Sequence, residues 1–445
     1  MTLVTTLLFL AGLSLSSFPQ HQHEHPPEEA EETPAGSLGA YPHTRDATGT
    51  SWQPDSTPME GVHFRAGGFD GMLHGFLNLG FMGESGPRGK NEAFGTGMLM
   101  VGARRELGGG ALGLRFMGSL EPVMGPSGYS LLLQTGETAN GEPLLDRQHP
   151  HDAFMEVAAT YSRGVGRDSS WFVYLAPVGE PAIGPPAFMH RSSSGENPLA
   201  PVTHHWFDST HITYGVITVG GVVANRAKIE ASVFNGREPD ERRWNIEELG
   251  LDSYSVRFTA NPTPNWSFQA SMASLNEPER LHPGIDYLRL SASATYNRPR
   301  EDGNWQTTVA WGRNKREWSV VTVDPSTVSV PTHNHGPGPA NLSPVLAQNA
   351  ILVESAVRIL DRHGLFARFE WVQKDELFPV TDPFHAAVFP VSKVNVGYTN
   401  DFARAGKLSL GAGVAASIHL LAVELEPTYG GWPTSAYVFF RAGLR

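Results

Sequence analysis

The sequence predicts an all-β protein: a transmembrane antiparallel β-barrel of about sixteen strands, with short periplasmic turns and long extracellular loops. Three observations support this fold class. Apolar residues recur at every second position from about residue 62 onward. The links between these stretches alternate between short and long. No segment reaches the ~18 consecutive apolar residues that a membrane-spanning helix needs.

The alternation is clear near the end of the chain. In residues 407–419, Leu408 and Val414 fall on one face, and Ser409 and Ser417 fall on the other. Because successive side chains of a strand point to opposite faces, this stretch is predicted to be a strand with one apolar face. The same pattern occurs in residues 266–272 and 286–296.

The lengths of the predicted links distinguish a membrane barrel from a soluble sandwich. Short links are predicted at 107–110, 164–169, 224–225, 262–264, 299–303, 361–363 and 402–406. Long links are predicted at 83–94, 122–152, 179–210, 236–251, 276–285, 315–348, 374–391 and 419–432. Strict alternation of this kind is typical of a transmembrane barrel, and an even strand count puts both ends of the barrel on the short-turn side.

Composition agrees with this fold and limits the partners. The chain has 445 residues, with 48 glycines, 34 prolines and 18% charged residues, which suits many strands and turns. It has no cysteine, so a disulfide framework and a thiolate metal site are excluded. A net charge of −12 argues against nucleic acid as a partner.

The N-terminal part is predicted to lie outside the barrel. Residues 1–19 are interpreted as a signal peptide, because a short apolar stretch is followed by the small residues of 14–17. Residues 20–60 are predicted to be a disordered periplasmic tail that offers little apolar surface to bury. Residues 61–445 form the predicted barrel, located in the cell outer membrane with outer-membrane lipid around it.

The charged residues of the predicted strands should point into the lumen, because a charge facing lipid costs ~2–4 kcal/mol at the midplane. The predicted lumen residues are Arg115, Glu156, Lys228, Glu230, Arg257, Arg289, Glu354, Arg358, Arg368 and Glu370. Such residues either line a water-filled pore or pair across strands and fill the interior. The mixture of signs favours a narrow, partly filled lumen.

Histidine and aspartate are concentrated in two long loops that flank one predicted hairpin. The candidate metal ligands are His149, His151, Asp152, His190, His204, His205, Asp208 and His211. Imidazole and carboxylate suit copper, zinc, nickel or iron, and Met189 would add a soft ligand for Cu(I). The alternative is a hydrogen-bonded network that anchors the loops, because buried polar groups must be paired. Both interpretations remain open.

Two further histidine groups occur outside these loops. His21, His23 and His25 in the tail are typical of a weak metal-capture segment, and His333 and His335 lie in the long link 315–348.

An enzyme is not expected. Asp208, Ser209 and His211 are adjacent in sequence, but neighbours on a strand alternate faces and make a poor catalytic triad. The sequence contains neither a Gly-x-Ser-x-Gly elbow nor a His-Glu-x-x-His motif.

Several segments carry a resemblance to a known group of proteins. They are Ser51–Asp55, Asp146–Asp152, Pro185–Arg191, His204–His211 and Asn235–Glu241. These segments resemble a largely uncharacterised family of bacterial outer-membrane β-barrels, similar in plan to outer-membrane copper-resistance proteins. The resemblance covers nearly all the chain after residue 50. It implies a place beside periplasmic metal-handling proteins, although this tail has three spaced histidines with no methionine between them.

The functional expectation is an outer-membrane protein that binds or passes metal ions, with copper or another divalent ion as its cofactor. The alternative is a general porin or small-solute channel without a specific metal site, whose selectivity comes from the lumen charges.

Overall fold

The chain folds into one closed sheet of sixteen antiparallel strands. The computed structural model describes residues 35–318 and 347–444. The barrel strands are β1 (Phe69–Glu84), β2 (Asn91–Leu107), β3 (Gly110–Gly118), β4 (Phe154–Val165), β5 (Ser169–Gly179), β6 (Thr213–Val223), β7 (Ala227–Phe234), β8 (Ser253–Thr263), β9 (Trp266–Leu275), β10 (Ile285–Arg300), β11 (Gly303–Trp318), β12 (Ala347–Ile359), β13 (His363–Lys374), β14 (Phe389–Ala405), β15 (Leu408–Leu421) and β16 (Thr434–Leu444).

The first and last strands close the barrel. β1 pairs with β16 from Phe76–Gly443 to Glu84–Ser435. A further short strand, Val62–Ala66, forms a hairpin with residues 69–73 of β1. It pairs with the part of β1 that precedes Phe76, where the pairing with β16 begins. The predicted fold class is confirmed, including the number of strands in the barrel.

The predicted alternation of link lengths is also confirmed. The links after β2, β4, β6, β8, β10, β12 and β14 have two or three residues each, whereas those after β3, β5 and β7 are much longer. Positive φ angles at Gly108 and Gly109 allow the two-residue turn between β2 and β3. The link between β11 and β12 lies outside the described residues, and with it His333 and His335.

The sheet is apolar outside and polar inside. In β15, Val414 is exposed, whereas Ser409, Ser417 and His419 are buried. This is the reverse of a soluble protein, and it places the apolar face in lipid and the polar face in the lumen. Among the described residues, no helix is long and apolar enough to cross a membrane.

The prediction of a disordered tail over 20–60 is wrong for residues 35–60, which are folded and packed inside the barrel; residues 1–34 lie outside the described part of the chain. Arg45 is buried between the rings of Tyr41 and Trp52, with its guanidinium carbon 4.7 and 4.6 Å from their centroids. Its Nε and Nη2 donate to the two carboxylate oxygens of Asp55, at 2.7 and 2.8 Å. This polar segment is ordered because the barrel wall supplies the apolar surface against which its few apolar side chains are buried.

We call residues 35–60 the N-terminal plug. Arg45 Nη1 donates to the carbonyl of Asn225 at 2.6 Å, and the Ser56 amide donates to the carbonyl of Pro264 at 2.9 Å. Both carbonyls lie in or beside short turns. The plug therefore fills the lumen at the short-turn, periplasmic end.

We predict that the Arg45–Asp55 pair holds the plug in the barrel. Arg45→Met keeps the volume but leaves the Asp55 carboxylate unpaired, which should destabilise the barrel by about 3 kcal/mol. Denaturant unfolding of the refolded protein in lipid vesicles measures the change. Arg65→Met is the matched control, because the Arg65–Asp70 pair is exposed and should contribute little. Equal stability of the two variants would contradict the plug's role.

Candidate functional site

The ten predicted lumen residues all lie on the inner face of the barrel. Nine are buried, and Arg115 is partly buried. Several pair with one another: Arg115 Nε with Glu156 of the neighbouring strand at 2.9 Å, and Lys228 Nζ with Glu230 of the same strand at 2.9 Å. Arg115–Glu156, Arg257–Glu230 and Arg368–Glu354 are pairs of the cross-strand kind, which is one of the two arrangements that the sequence allowed.

The N-terminal plug completes these wall pairs at the periplasmic end. Arg115 Nη1 donates to the carbonyl of Ala47 at 2.9 Å. Arg257 pairs through Nε with Glu230 at 2.9 Å and donates through Nη2 to the Thr50 hydroxyl at 3.0 Å. Lys228 donates to the Thr50 carbonyl. The wall cations therefore bind plug oxygens as well as wall carboxylates.

The loop of residues 180–212 crosses the lumen to the opposite wall. We call it the crossing loop. Arg191 joins it to the wall through Nε and Glu354 at 2.7 Å, and joins its two ends through Nη1 and Asp208 at 2.7 Å. Glu354 also accepts Arg368 of β13 at 3.2 Å. Thr203 binds Glu370 through its amide and its hydroxyl, both at 3.0 Å.

A second attachment of the crossing loop is centred on Glu196. Its carboxylate accepts Arg358 Nη1 at 2.5 Å and the Thr399 hydroxyl at 2.5 Å, and it also binds Arg441. These three partners lie on β12, β14 and β16. Glu196 therefore fixes the middle of the crossing loop against a wall far from its own strands.

The loop of residues 119–153 also folds inward and lies near the crossing loop. We call it the inner loop. Asp146 pairs with Arg88 at 2.7 Å, and Arg147 pairs with Glu92 at 2.9 Å, which ties the loop to the link between β1 and β2. Gln134 accepts Lys374 of β13 at 3.0 Å. The plug and the two loops together occupy most of the lumen.

The eight predicted metal ligands divide into three places. His151, His204 and His211 surround the Phe188 ring, with ring centroids of His211 at 5.2 Å from His151 and 5.4 Å from His204. Each Nδ1 contacts an oxygen: Glu121 Oε2 at 2.9 Å for His151, Asp208 Oδ1 at 2.8 Å for His204, and the Asp208 carbonyl at 2.6 Å for His211.

Charge in this first place is balanced by the loops. Burial by itself would raise the pKa of Asp208, but the Arg191 guanidinium and the His204 hydrogen bond hold it well below its usual range. Burial lowers the pKa of His211 well below its usual value, and that of His204 is also lowered. A neutral His204 and His211 around an ionised Asp208 form a stable polar network, which was the alternative to a metal site.

Asp152 also belongs to a network. It accepts the Tyr214 hydroxyl at 2.7 Å and Arg243 Nη1 at 3.2 Å. The adjacent Asp208, Ser209 and His211 do not form a triad: His211 Nδ1 contacts the Asp208 carbonyl, and the Ser209 hydroxyl accepts Arg289 at 2.9 Å.

The second place joins His149 and His205 to carboxylates that the sequence reasoning missed. His149 Nε2 lies 2.9 Å from Glu137 Oε1, and His205 Nδ1 lies 3.5 Å from Glu238 Oε1. One ligand atom from each of Glu137, His149 and His205 lies within 4.8 Å of the others. Within residues 35–318 and 347–444, neither ring nitrogen of the buried His205 makes a hydrogen bond. We call Glu137, His149, His205 and Glu238 the loop cluster.

The sequence offered little to identify these two carboxylates. Glu137 and Glu238 lie in different loops, each among other acidic residues, and only the tertiary fold brings them together. One ligand atom from each of Glu279, His282 and Glu376 also lies within 4.8 Å of the others. There both ring nitrogens of His282 are already paired with carboxylates, at 2.8 and 2.9 Å.

His190 lies in the third place, at a cavity that His151 also lines. Its Nε2 is 3.2 Å from the Met117 sulfur, and its ring centroid is 5.8 Å from that of His74. It lines a cavity of about 180 Å³ between the crossing loop and the wall of β16, β1 and β2. Pro58, at the plug end of the cavity, is exposed.

The closed sheet with lipid-facing apolar residues and a charged, loop-filled lumen defines an outer-membrane β-barrel. The structure is similar to the anion-selective porin from Comamonas acidovorans, at a TM-score of 0.50 and 10% identity, over 84% of this chain and 100% of that chain.

Two other solved structures are similar at lower TM-scores. Salmonella typhi OmpF, in a complex with daunomycin, matches at 0.49 with 10% identity over 86% of this chain and 100% of its own. The channel DcaP of Acinetobacter baumannii matches at 0.45 with 8% identity, over 87% and 100%. No protein-family model matches the chain. No curated protein matches it either.

We predict a pH-dependent contribution of His282 to stability. Burial by itself would lower the pKa of His282, but Glu376 and Glu279 raise it to about 10. Since the folded pKa lies above the unfolded value of ~6.5, this contribution is fully present below ~6.5 and is lost as pH rises through about 10. His282→Gln should cost about 3 kcal/mol near pH 6.

The measurement is urea unfolding of parent and variant across this pH range in detergent micelles. The difference between the two proteins should shrink toward alkaline pH. A difference that stays constant with pH would show that His282 is not charged in the folded protein.

Proposed function

We propose that this protein is a restricted channel of the porin type, in which small ions or solutes enter the cavity along the wall of β16, β1 and β2. The cavity carries this proposal. Leu444 and Met59 line it near the short-turn end, Asn78 and Thr96 line it in the barrel wall, and Tyr129 of the inner loop lines it further in.

The plug and the crossing loop explain why such a channel is restricted. A sixteen-stranded barrel has room for an aqueous pore when its lumen is unfilled. Here the crossing loop is attached to the far wall at Arg191, Glu196 and Thr203, which leaves the space along β1 and β2. Passage beyond the cavity requires a movement of the inner loop above it.

We predict that a charged reagent attached inside the cavity will reduce the ion current. The chain has no cysteine, so a single introduced cysteine reports one position. Asn78 faces the cavity, and the adjacent Leu79 faces lipid. A charged methanethiosulfonate should reduce single-channel current in N78C and leave it unchanged in L79C.

The two variants form a matched pair, because they change neighbouring residues of one strand. If the parent barrel carries no current in planar bilayers, the channel proposal fails. A current that the reagent leaves unchanged in N78C would place the conducting path elsewhere and would also contradict it.

The loop cluster favours a second candidate function, which is metal binding. His149 Nδ1 lies 3.0 Å from the carbonyl of Pro150, which holds the ring proton on that nitrogen. Burial lowers the pKa of His149 well below its usual value. The Nε2 lone pair then faces the Glu137 carboxylate at 2.9 Å, and two acceptors at this distance need a proton or a cation between them.

The donor set of the loop cluster fits a borderline divalent ion. Two imidazoles with carboxylates suit Zn(II), Ni(II) or Cu(II). His205 offers a buried ring nitrogen 3.5 Å from Glu238, without a hydrogen bond to any part of the chain that the structure describes. A role beside periplasmic metal-handling proteins depends on this second candidate and stays a prediction.

We predict that the loop cluster binds one divalent ion per barrel. Titration of the refolded full chain with Zn(II) and Cu(II) measures it, in a background where His21, His23 and His25 are alanine. The double variant His149→Ala, His205→Ala should lose the binding. His385→Ala is the control, because this loop histidine contacts the Phe378 carbonyl and lies outside the loop cluster. Undiminished binding in the double variant would refute the site.

A further inference from the structure

The methionines of this chain are concentrated in one part of the barrel. Seven of the eleven lie in one apolar cluster. They are Met59, Met72, Met98, Met100, Met117, Met155 and Met189. Since they come from the plug, from four strands and from the crossing loop, only the fold brings them together.

The positions of these methionines are unusual for a barrel wall. Met98 and Met100 occupy consecutive inward positions of β2, whereas Ser267, Gln269 and Ser271 occupy consecutive inward positions of β9. Methionine also fills irregular apolar gaps, so packing alone explains a few of them. If packing were the only reason, isoleucine, valine and leucine would also be expected at the cavity. Among the described residues that line it, however, there is no isoleucine or valine, and Leu444 is the one leucine.

Five of the seven methionines line the cavity, together with His74, His151 and His190. The five are Met59, Met72, Met98, Met100 and Met189. Imidazole nitrogen and thioether sulfur already approach each other here: His190 Nε2 lies 3.2 Å from the Met117 sulfur, and His43 Nδ1 lies 3.1 Å from the Met59 sulfur. The cavity therefore places soft sulfur donors and nitrogen donors around a space of about 180 Å³.

We propose that this cavity is a binding site for a soft monovalent cation, Cu(I) or its analogue Ag(I). Thioether sulfur selects Cu(I), whereas Mg(II) and Ca(II) require oxygen ligands. Met72, Met98 and Met100 are the sulfur ligands on the wall, and His190 is the nitrogen ligand from the crossing loop. The site takes the ion in its reduced state, and no electron transfer is involved.

This site is separate from the loop cluster. None of Glu137, His149, His205 and Glu238 lines the cavity. The inference also does not depend on conduction, because a cavity that binds Cu(I) does so whether or not ions cross the barrel. The two histidines of the loop cluster and the methionines of the cavity can therefore be tested independently.

The test is Cu(I) binding by the refolded full chain in detergent, in competition with bicinchoninate under reducing conditions. The triple variant Met72→Leu, Met98→Leu, Met100→Leu keeps the side-chain size and removes three sulfurs. We expect it to bind Cu(I) at least tenfold more weakly than the parent. The control is Met82→Leu, Met124→Leu, Met272→Leu, which changes three methionines outside the cluster and should bind like the parent.

X-ray absorption at the copper edge supplies a second measurement. The parent should show sulfur in the first coordination shell, and the signal should fall in the triple variant. If that variant does not fold, the single variants M98L and M100L replace it, and each should weaken binding. The variant His149→Ala, His205→Ala should keep Cu(I) affinity.

Three outcomes would overturn the proposal. They are an absence of Cu(I) binding in the parent, equal affinity in the parent and the cluster variants, and a copper shell of nitrogen and oxygen alone. A failure of the N78C current experiment would affect the channel proposal only.

Discussion

The pairing of β1 with β16 is the constraint on which the rest of the structure depends. In lipid every backbone polar group must be satisfied within the protein, and only a closed sheet achieves this for strands. The register from Phe76–Gly443 to Glu84–Ser435 joins segments that are separated by most of the chain. Once the sheet closes, the period of two puts one set of side chains in lipid and the other in an enclosed lumen.

An enclosed lumen with charged walls must be filled by water or by protein. Here the N-terminal plug, the inner loop and the crossing loop fill it, and wall charges bind them. The chain of Asp208, Arg191, Glu354 and Arg368 shows how this works, because the Glu354 carboxylate is shared between Arg191 of the crossing loop and Arg368 of β13. Removing one partner of a buried pair is costly, so these pairs determine where each loop lies, whatever their net contribution to stability.

Two sets of potential metal ligands lie in different parts of the lumen. The inner loop and the crossing loop bring imidazoles together at His149 and His205, beside Glu137 and Glu238, and this donor set suits borderline divalent ions. The cavity beside β1 and β2 brings thioethers together around His190. A barrel with both would hold soft and borderline ions at different levels of the lumen, and the crossing loop, which supplies His190 and His205, connects the two places.

The sequence by itself determined the features that are local to each strand. The alternation in residues 407–418 was enough to locate β15 (Leu408–Leu421), and the charge of Glu354 or Arg368 was enough to direct it inward, because lipid excludes it. Which side chains pair inside the lumen was decided only by the tertiary structure. Glu196 meets Arg358 from 162 residues away, and Glu137 meets His149 and His205 through loop paths inside the lumen. Residues 35–60 looked disordered because the surface that buries Tyr41 and Trp52 belongs to strands distant in sequence.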